Sequence, residues 1–409
     1  MTAAPTSSAS PGFQVPRADR LAAVPPFLFN QIDDKKRAAI AAGKDVINLG
    51  TGDPDKATPA FIVERMAEAI RHAPNHQYPD GYGTKAFLAA AARFMERRFG
   101  VRVDPARHIL ATIGGKDGIS HLPLGLLNPG DGAICFTPAY PVYAAGAILA
   151  GGVAHRVPTH AADSWQPRID NIPPTAAKGC KLLWLNFPNN PTGATAPEGF
   201  FGEALAWCAA RNIVCASDLA YSEVYFGEPV RSLWQARGAH PDRTPAIEFH
   251  SLSKTFNMTG WRIGFAVGHP DVIGALKQTK DNYDSGPFNA IQDAATIALD
   301  RFDDPAITGM RAEYRVRRDI VISGLARMGV QATPPDAGIF VWAPCPAESL
   351  TGKPWDSWKF VGRAIDEAAV VMVPGAGFAD TAKGHVRISL TRETARIAEA
   401  MERLAKLAW

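Results

Sequence analysis

The middle of the chain alternates between short apolar runs and segments whose apolar residues have helical spacing. Parallel strands buried on both faces are continuous apolar runs, and each needs a crossover, usually a helix, to reach the next strand. The alternation therefore predicts an α/β fold with a parallel sheet covered by helices on both faces. The predicted strands are residues 108–112, 133–136, 182–187, 213–217, 246–250 and 263–267.

The pattern changes near residue 306, where a long charged helical segment precedes three short apolar runs. These runs, at residues 339–343, 370–373 and 386–390, predict the strands of a smaller α+β domain. The segment before residue 75 has a short strand and a glycine-rich turn outside the alternating region, and we expect it to join that domain. The predicted organisation is a flexible arm at residues 1–20, a small domain of residues 21–74 and 306–409, and a large domain of residues 75–305.

Composition excludes several classes of protein. Hydrophobic residues make up 46% of the chain and charged residues 20%, which supplies a core and excludes a disordered or fibrous protein. The 43 Lys and Arg residues nearly balance 40 Asp and Glu residues without a basic stripe, so we expect no nucleic-acid partner. No apolar stretch is long enough to span a bilayer, so we expect no membrane partner. The five cysteines form no C-x-x-C pair, which argues against a metal site and favours free thiols in a reducing cytoplasm.

The carboxyl ends of the strands are where such sheets bind ligands, and one of them carries the sequence SLSK. Its lysine, Lys254, can condense with an aldehyde as a Schiff base. The hydroxyls of Ser251 and Ser253, with the guanidinium of Arg262 eight residues after the lysine, can hold a phosphate dianion. This combination indicates a cofactor with an aldehyde and a phosphate.

Other strand ends carry groups that suit the same cofactor. Asp218 could pair with a ring nitrogen and keep it protonated, which makes the ring an electron sink. Asn190 and Tyr221 could donate to a phenolate oxygen on that ring, and Tyr140 could stack on its face. The backbone at Gly115 and Lys116 opens a helix and would add an anion cradle. An aldehyde, a pyridine ring and a phosphate together describe pyridoxal 5′-phosphate.

Three stretches carry a family resemblance: NNPTG at residues 189–193, SDLAY at residues 217–221 and SLSKTFNMTGWRIG at residues 251–264. From about residue 21 to its end, the chain resembles the fold-type I, class I/II pyridoxal-phosphate-dependent aminotransferases. Within that class it is most similar to the LL-diaminopimelate aminotransferase branch, although bacterial alanine aminotransferases share several stretches. The resemblance implies a mostly parallel seven-stranded central sheet in a large cofactor-binding domain, beside a smaller α+β domain.

The resemblance also implies a role for each candidate residue. Lys254 would be the Schiff-base lysine and proton shuttle, Asp218 would pair with the pyridine nitrogen, and Arg387 would grip the substrate α-carboxylate. The phosphate would be held by Gly115, Lys116, Ser251, Ser253, Arg262 and, from the neighbouring subunit of a homodimer with shared active sites, Tyr78. The other cofactor contacts would be Asn190, Tyr221 and Tyr140, and the other substrate contacts Gly52, Asn190 and Asn289.

Two positions depart from the diaminopimelate-type pattern. Phe27 stands where many members have a tyrosine that contacts the substrate. The sequence from Tyr78 to Gly81 differs from the acidic loop that the branch uses for the distal ammonium of the substrate, and Asp80 either replaces that loop or serves only as a turn residue. The amino donor therefore stays open among LL-diaminopimelate, alanine, aspartate and glutamate, with 2-oxoglutarate or pyruvate as the acceptor.

Three other functions are compatible with parts of the sequence. Ser251 and Lys254 match the S-x-x-K motif of serine nucleophiles, but the companion tripeptides S-D-N and K-T-G are missing. A carbon–sulfur lyase could use the same fold, because a fold does not determine the reaction. A ligand-binding regulator would need an added DNA-binding module, for which the segment before the core is too short.

Overall fold

The computed structural model describes residues 15–24, 29–348 and 352–409. Short strands and longer helices alternate along the middle of the chain, as the sequence predicts. The strands among all the described residues are β1 (Ile47–Asn48), β2 (Ile109–Thr112), β3 (Gly132–Thr137), β4 (Val153–Pro158), β5 (Cys180–Asn186), β6 (Val214–Asp218), β7 (Ala246–Ser251), β8 (Gly264–Gly268), β9 (Phe340–Pro344), β10 (Val370–Val371), β11 (Val373–Pro374) and β12 (His385–Ser389).

Helices connect most of these strands. Among the described residues, no helix has the length and apolarity needed to cross a membrane. The helices are α1 (Asp19–Ala23), α2 (Phe29–Ala41), α3 (Ala60–Ala69), α4 (Lys85–Phe99), α5 (Pro105–His108), α6 (Gly115–Leu126), α7 (Val142–Leu149), α8 (Pro174–Ala177), α9 (Phe200–Ala209), α10 (Leu252–Thr255), α11 (Pro270–Lys280), α12 (Asn289–Asp300), α13 (Pro305–Arg327), α14 (Ser357–Ala368) and α15 (Thr394–Ala405).

Seven strands form the central sheet, in the order β2-β8-β7-β6-β5-β3-β4. Neighbouring strands are parallel except at β8, which runs antiparallel to both β2 and β7. The predicted α/β class and the mostly parallel seven-stranded sheet are therefore confirmed. The direction of β8 was not predicted, since an apolar run is the same in either direction.

Two strand regions differ from the sequence-based expectation. The edge strand β4 was not predicted, because it includes His155 and Arg156 and only Val157 in it is fully buried. The single strand expected at residues 370–373 is divided at Met372. Its first half, β10, pairs in parallel with β1, and its second half, β11, pairs antiparallel with β12 in a three-stranded sheet completed by β9.

Helices bury both faces of the central sheet. On one face, α4 packs Phe87 and Phe94 against Phe265 of β8. On the other face, Ile119 of α6 lies in a cluster with Phe249 of β7. A third cluster surrounds the three-stranded sheet and includes residues from both ends of the chain. The division of the chain into domains at residues 75 and 306 stays a prediction.

The turn after β1 is tied to the C-terminal part of the chain. The backbone N–H of Ser389 donates to the carbonyl of Leu49 at 2.7 Å, and the hydroxyl of Thr391 donates to the carbonyl of Thr51 at 2.8 Å. Arg317 of α13, only 1% exposed, donates through both terminal nitrogens to the carboxylate of Asp55 at 2.7 and 2.9 Å. These contacts hold the turn at residues 50–53 in one place.

Arg317→Met should lower the free energy of unfolding by about 3–5 kcal/mol, because it leaves the carboxylate of Asp55, whose side chain is only 10% exposed, without its partner. Urea unfolding followed by tryptophan fluorescence measures this loss. Arg65→Met is the matched control, since the Arg65 side chain is 42% exposed in its pair with Glu68, and we expect a loss below about 1 kcal/mol. Equal losses in the two variants would contradict this account of the turn.

Candidate active site

Lys254 lies just beyond the carboxyl end of β7. The strand ends at Ser251, whose hydroxyl caps the one-turn helix α10 by accepting a hydrogen bond from the backbone N–H of Ser253 at 3.3 Å. The Lys254 side chain extends to the turn after β1, where its Nζ donates to the carbonyl of Gly52 at 2.5 Å. The expected nucleophile is therefore held between the central sheet and the N-terminal turn.

The surroundings of Lys254 favour its neutral amine. The pKa of Lys254 is lowered from its usual 10.5 to about 8, because burial and the positive charges of Arg262 and Arg387 outweigh the opposing attraction of Asp53. A neutral amine is the form that attacks an aldehyde. A larger share of this amine is therefore reactive near neutral pH than in an ordinary lysine.

Asp218 ends strand β6 and is buried. Its Oδ2 accepts a hydrogen bond from the hydroxyl of Tyr143 at 2.7 Å. Burial raises the pKa of Asp218 to about 6, and the bond from Tyr143 opposes that rise. A cation that binds beside this carboxylate would replace the solvation that burial removes, so the position suits a protonated ring nitrogen.

Arg387, in the middle of β12, joins three parts of the chain. It is 3% exposed, and its two terminal nitrogens donate to Oδ1 of Asn190 at 2.8 Å and to the carbonyl of Gly50 at 2.7 Å. The ring of Phe340 lies 4.0 Å from its guanidinium carbon. Burial lowers the pKa of Arg387 to about 10, which leaves it cationic at neutral pH and able to bind a carboxylate.

An anion cradle forms where three segments converge. Gly114, at a φ of +80°, precedes α6, and a Cβ there would lie 2.4 Å from Nη2 of Arg262. A Cβ on Gly115 would lie 3.6 Å from the Cβ of Ser251, which pairs in register with Gly264. The start of a helix, a serine and an arginine side chain thus meet without an intervening side chain, and this arrangement fits a phosphate.

Three more of the expected residues lie at or next to this edge of the sheet. Tyr140 packs edge-on against Tyr143 with ring centres 5.9 Å apart, and burial raises the pKa of Tyr140 to about 12. Tyr221 packs edge-on against Phe340, and burial raises the pKa of Tyr221 above its usual value, so its hydroxyl stays a donor. Ser253 is buried in α10.

Gly52 and Lys116 complete the residues found at this edge. A Cβ on Gly52 would lie 2.4 Å from Cζ of Phe340, so no larger residue fits beside that ring. Lys116 is the exposed second residue of α6. Its position next to Gly115 is compatible with the expected phosphate contact.

The remaining candidates lie elsewhere on the chain. Tyr78 is 88% exposed, and Asn289, at the start of α12, donates through Nδ2 to the carbonyl of Gln77 at 3.2 Å. The carboxylate of Asp80 accepts from the backbone N–H of Tyr82 at 2.8 Å, which is the turn role. Phe27 lies outside the described residues.

Sequence reasoning missed two residues that organise the site. Tyr143 donates to Asp218, and its ring stacks on that of Trp184 with centres 5.1 Å apart. Asn186, at the end of β5, donates through Nδ2 to the carbonyl of Asp218 at 2.9 Å and accepts through Oδ1 from the N–H of Asn190 at 2.8 Å. Asn186 stands in a predicted strand and Tyr143 in none of the quoted motifs, and only the packing of neighbouring strands identifies their partners.

Comparisons with known proteins agree with this geometry. Residues 44–404 match the model of the family described as aminotransferase class I and II. The LL-diaminopimelate aminotransferase of Nitratidesulfovibrio vulgaris strain DP4 is 45% identical over 95% of this chain and 98% of its own length. The enzyme of that name from Aquifex aeolicus is 44% identical over the same shares of the two chains.

The fold also matches solved structures, one of which is an aminotransferase with another substrate in its name. The substrate-bound structure of BacF from Bacillus subtilis has a TM-score of 0.89 and 32% sequence identity, and covers 96% of this chain and 98% of its own. A single mutant of the aspartate aminotransferase of Thermus thermophilus has a TM-score of 0.87 and 27% identity, and covers 96% and 100%. The predicted fold family is therefore confirmed.

The rate at which Lys254 reacts with an amine-selective anhydride should have a midpoint near pH 8 in the cofactor-free protein, measured by peptide mass spectrometry across a pH series. Arg387→Met should raise the midpoint by about 0.5–1 pH unit, because loss of a nearby positive charge favours the ammonium form. Arg65→Met, on the surface, should leave it unchanged. A midpoint at the ordinary value of 10.5 would contradict the buried position of this amine.

Proposed function

The chain belongs to the class I and II aminotransferases, and we propose that it performs transamination with pyridoxal 5′-phosphate bound at Lys254 and LL-diaminopimelate as the amino donor. It is an enzyme that moves an amino group between an amino acid and a 2-oxo acid. One observation carries the cofactor proposal: Lys254, Asp218 and the anion cradle around Gly115 and Arg262 gather at one edge of the central sheet.

The residues present fit this cofactor, on which the family depends in general. The phosphate would be held by the start of α6 at Gly115 and Lys116, by Ser251 and Ser253, and by Arg262. When bound, the cofactor supplies an aldehyde for the amino group and a pyridine ring that accepts electrons from Cα. The guanidinium of Arg262 packs directly against Gly114, where a Cβ would collide with it, and this holds the arginine at the start of α6 and supports the fit.

The ring would be held by four side chains. Asp218, oriented by Tyr143, would pair with the protonated ring nitrogen. Tyr221 and Asn190 would donate to the ring oxygen, and Tyr140 would cover the ring face. The high pKa of Tyr221 keeps its proton on the hydroxyl, as this role requires.

Lys254 and Arg387 would act on the substrate. A lysine with a pKa of about 8 can take the Cα proton and return it near neutral pH, which suits a general base that later acts as an acid. The buried guanidinium of Arg387 would bind the α-carboxylate through two hydrogen bonds, with Asn190 beside it. Gly52 lets the ring of Phe340 pack against the turn that holds Lys254, because any side chain at this position would meet that ring.

Sequence identity supports the choice of donor. The curated relatives that match over 95% of this chain at 42–45% identity include several named LL-diaminopimelate aminotransferase. We therefore propose LL-diaminopimelate as the donor and 2-oxoglutarate as the acceptor. Alanine or aspartate is the alternative donor, and the likeness to an aspartate aminotransferase structure supports the second of these. A carbon–sulfur lyase of the same fold is the less favoured alternative.

We also propose a homodimer whose active sites are shared. Tyr78 is a large aromatic residue that is 88% exposed, and Asn289 is hydrogen-bonded to the residue next to it. A second copy that covered this surface would bury the tyrosine ring and place its hydroxyl at the phosphate of the neighbouring site. This would give both residues the roles that the family resemblance implies for them.

Lys254→Ala should abolish the absorbance of the lysine-bound cofactor and reduce turnover by more than about 100-fold, because the variant lacks the amine that binds the aldehyde and moves the proton. Visible spectra and steady-state rates on the reconstituted protein measure both effects. Lys85→Ala, at the exposed start of α4, is the control and should behave as the unchanged protein. Near-normal turnover without Lys254 would overturn the assignment.

The amino donor is tested by half-reactions without any acceptor. Conversion of the bound cofactor to its amine form should have at least about a 10-fold higher kcat/KM with LL-diaminopimelate than with L-alanine, L-aspartate or L-glutamate, because every 1.4 kcal/mol of additional transition-state binding gives that factor. Stopped-flow absorbance measures each rate. Preference for alanine or aspartate would replace the proposed donor, and release of pyruvate and ammonia from a thioether amino acid would indicate a lyase.

A further inference from the structure

A buried ammonium lies behind the anion cradle. Lys280, the last residue of α11, is 2% exposed, and its Nζ lies 2.5 Å from Oδ2 of Asp117 and 2.8 Å from Oδ2 of Asp284. Asp117 is the third residue of α6, the helix whose start forms the cradle. None of the proposed catalytic steps uses these three residues.

Asp117 connects this ammonium to the cradle itself. The Oδ2 that faces Lys280 also accepts a hydrogen bond from the backbone N–H of Ile113 at 2.8 Å. The carbonyl of the same Ile113 accepts from Nη2 of Arg262 at 3.3 Å. A short path of contacts therefore runs from Lys280 through Asp117 and Ile113 to the arginine expected to bind the phosphate.

The charge of Asp117 would weaken phosphate binding if no cation lay beside it. Burial alone would raise the pKa of Asp117, but His121, Lys280 and the N–H of Ile113 together lower it, so the carboxylate is ionised. A carboxylate in the first turn of a helix occupies the same positive end that a phosphate would use, and it repels a dianion bound there. The ammonium of Lys280, held against Asp117 and shared with Asp284, offsets part of that charge.

The same cluster has the ligand spacing of a metal site. One atom from each of Asp117, His121 and Asp284 can lie within 4.8 Å of the others. However, Nζ of Lys280 already contacts both carboxylates. A cation that belongs to the protein therefore already lies between the two carboxylates, at the place that a metal ion would take.

We propose that Lys280 is a positioning residue for the cofactor phosphate, acting through Asp117, whose charge it offsets while Asp117 fixes the turn that carries the cradle. The proposal rests on the proposed function, because it requires a phosphate at the start of α6. It adds that the affinity of the cradle for phosphate depends on the charges of Lys280 and Asp117, which lie behind the residues expected to touch the phosphate.

Two double variants separate this role from a general loss of packing. Lys280→Met/Asp117→Asn and Lys280→Met/Asp284→Asn each remove one positive and one negative charge from the same cluster. They differ only in which carboxylate remains, the one in the first turn of α6 or the one beyond the end of α11. Asparagine at position 117 keeps an oxygen that can accept from the N–H of Ile113.

The probes are pyridoxal 5′-phosphate, pyridoxal without phosphate, and inorganic phosphate, each titrated into the cofactor-free full-length protein. For Lys280→Met and Lys280→Met/Asp284→Asn, dissociation constants for the two phosphate-containing probes should rise about 10-fold or more, since the carboxylate of Asp117 then lies near the dianion without its ammonium partner. Lys280→Met/Asp117→Asn should stay within about 3-fold of the unchanged protein. Pyridoxal should bind all four proteins within about 3-fold, because it lacks the dianion.

Four outcomes would overturn the inference. Equal phosphate affinities in the two double variants would show that the charge of Asp117 does not matter. Parallel losses for pyridoxal and its phosphate would indicate a structural role alone. If the unchanged protein bound neither pyridoxal nor its phosphate, the proposed function itself would fail, and this inference with it; if it bound both and Lys280→Met matched it, only the inference would fail.

Discussion

Burial of charge at one edge of the central sheet is the constraint on which the site depends. The strands β5, β6 and β7 are parallel neighbours, so their carboxyl ends bring Asn190, Asp218 and Lys254 to the same place. Burial at this edge moves the pKa of three groups toward the neutral form: Lys254 to about 8, Asp218 to about 6 and Arg387 to about 10. The fold thus supplies both the positions and the reactivity of these groups.

The charges at this edge are complementary to the proposed ligands. Arg262 and the start of α6 offer one anion site, Arg387 offers a second, and the carboxylate of Asp218 offers a cation site. These three sites match a phosphate, an α-carboxylate and a protonated ring nitrogen. Because the N-terminal turn contacts both Lys254 and Arg387, the two ends of the chain and the central sheet all contribute to one pocket.

Strands and motifs that depend on neighbours along the chain could be predicted from the sequence. Contacts between distant segments could not. Continuous apolar runs identified β5, β6 and β7, and the residues that follow them were found because a parallel sheet gathers strand ends. The polar edge strand β4 lacks that signal. The bond from Tyr143 to Asp218 and the contact between Lys280 and Asp117 join residues 75 and 163 positions apart, and they follow from strand register and helix packing that no local pattern contains.

The central claim is that a single amine, that of Lys254, holds the cofactor. The most direct measurement is borohydride reduction of the protein reconstituted with pyridoxal 5′-phosphate, followed by proteolysis and peptide mass spectrometry, because reduction makes the lysine–cofactor bond permanent. The account predicts one modified peptide, with the added mass on Lys254, at close to one cofactor per chain. A modification spread over surface lysines, or confined to another lysine, would contradict it.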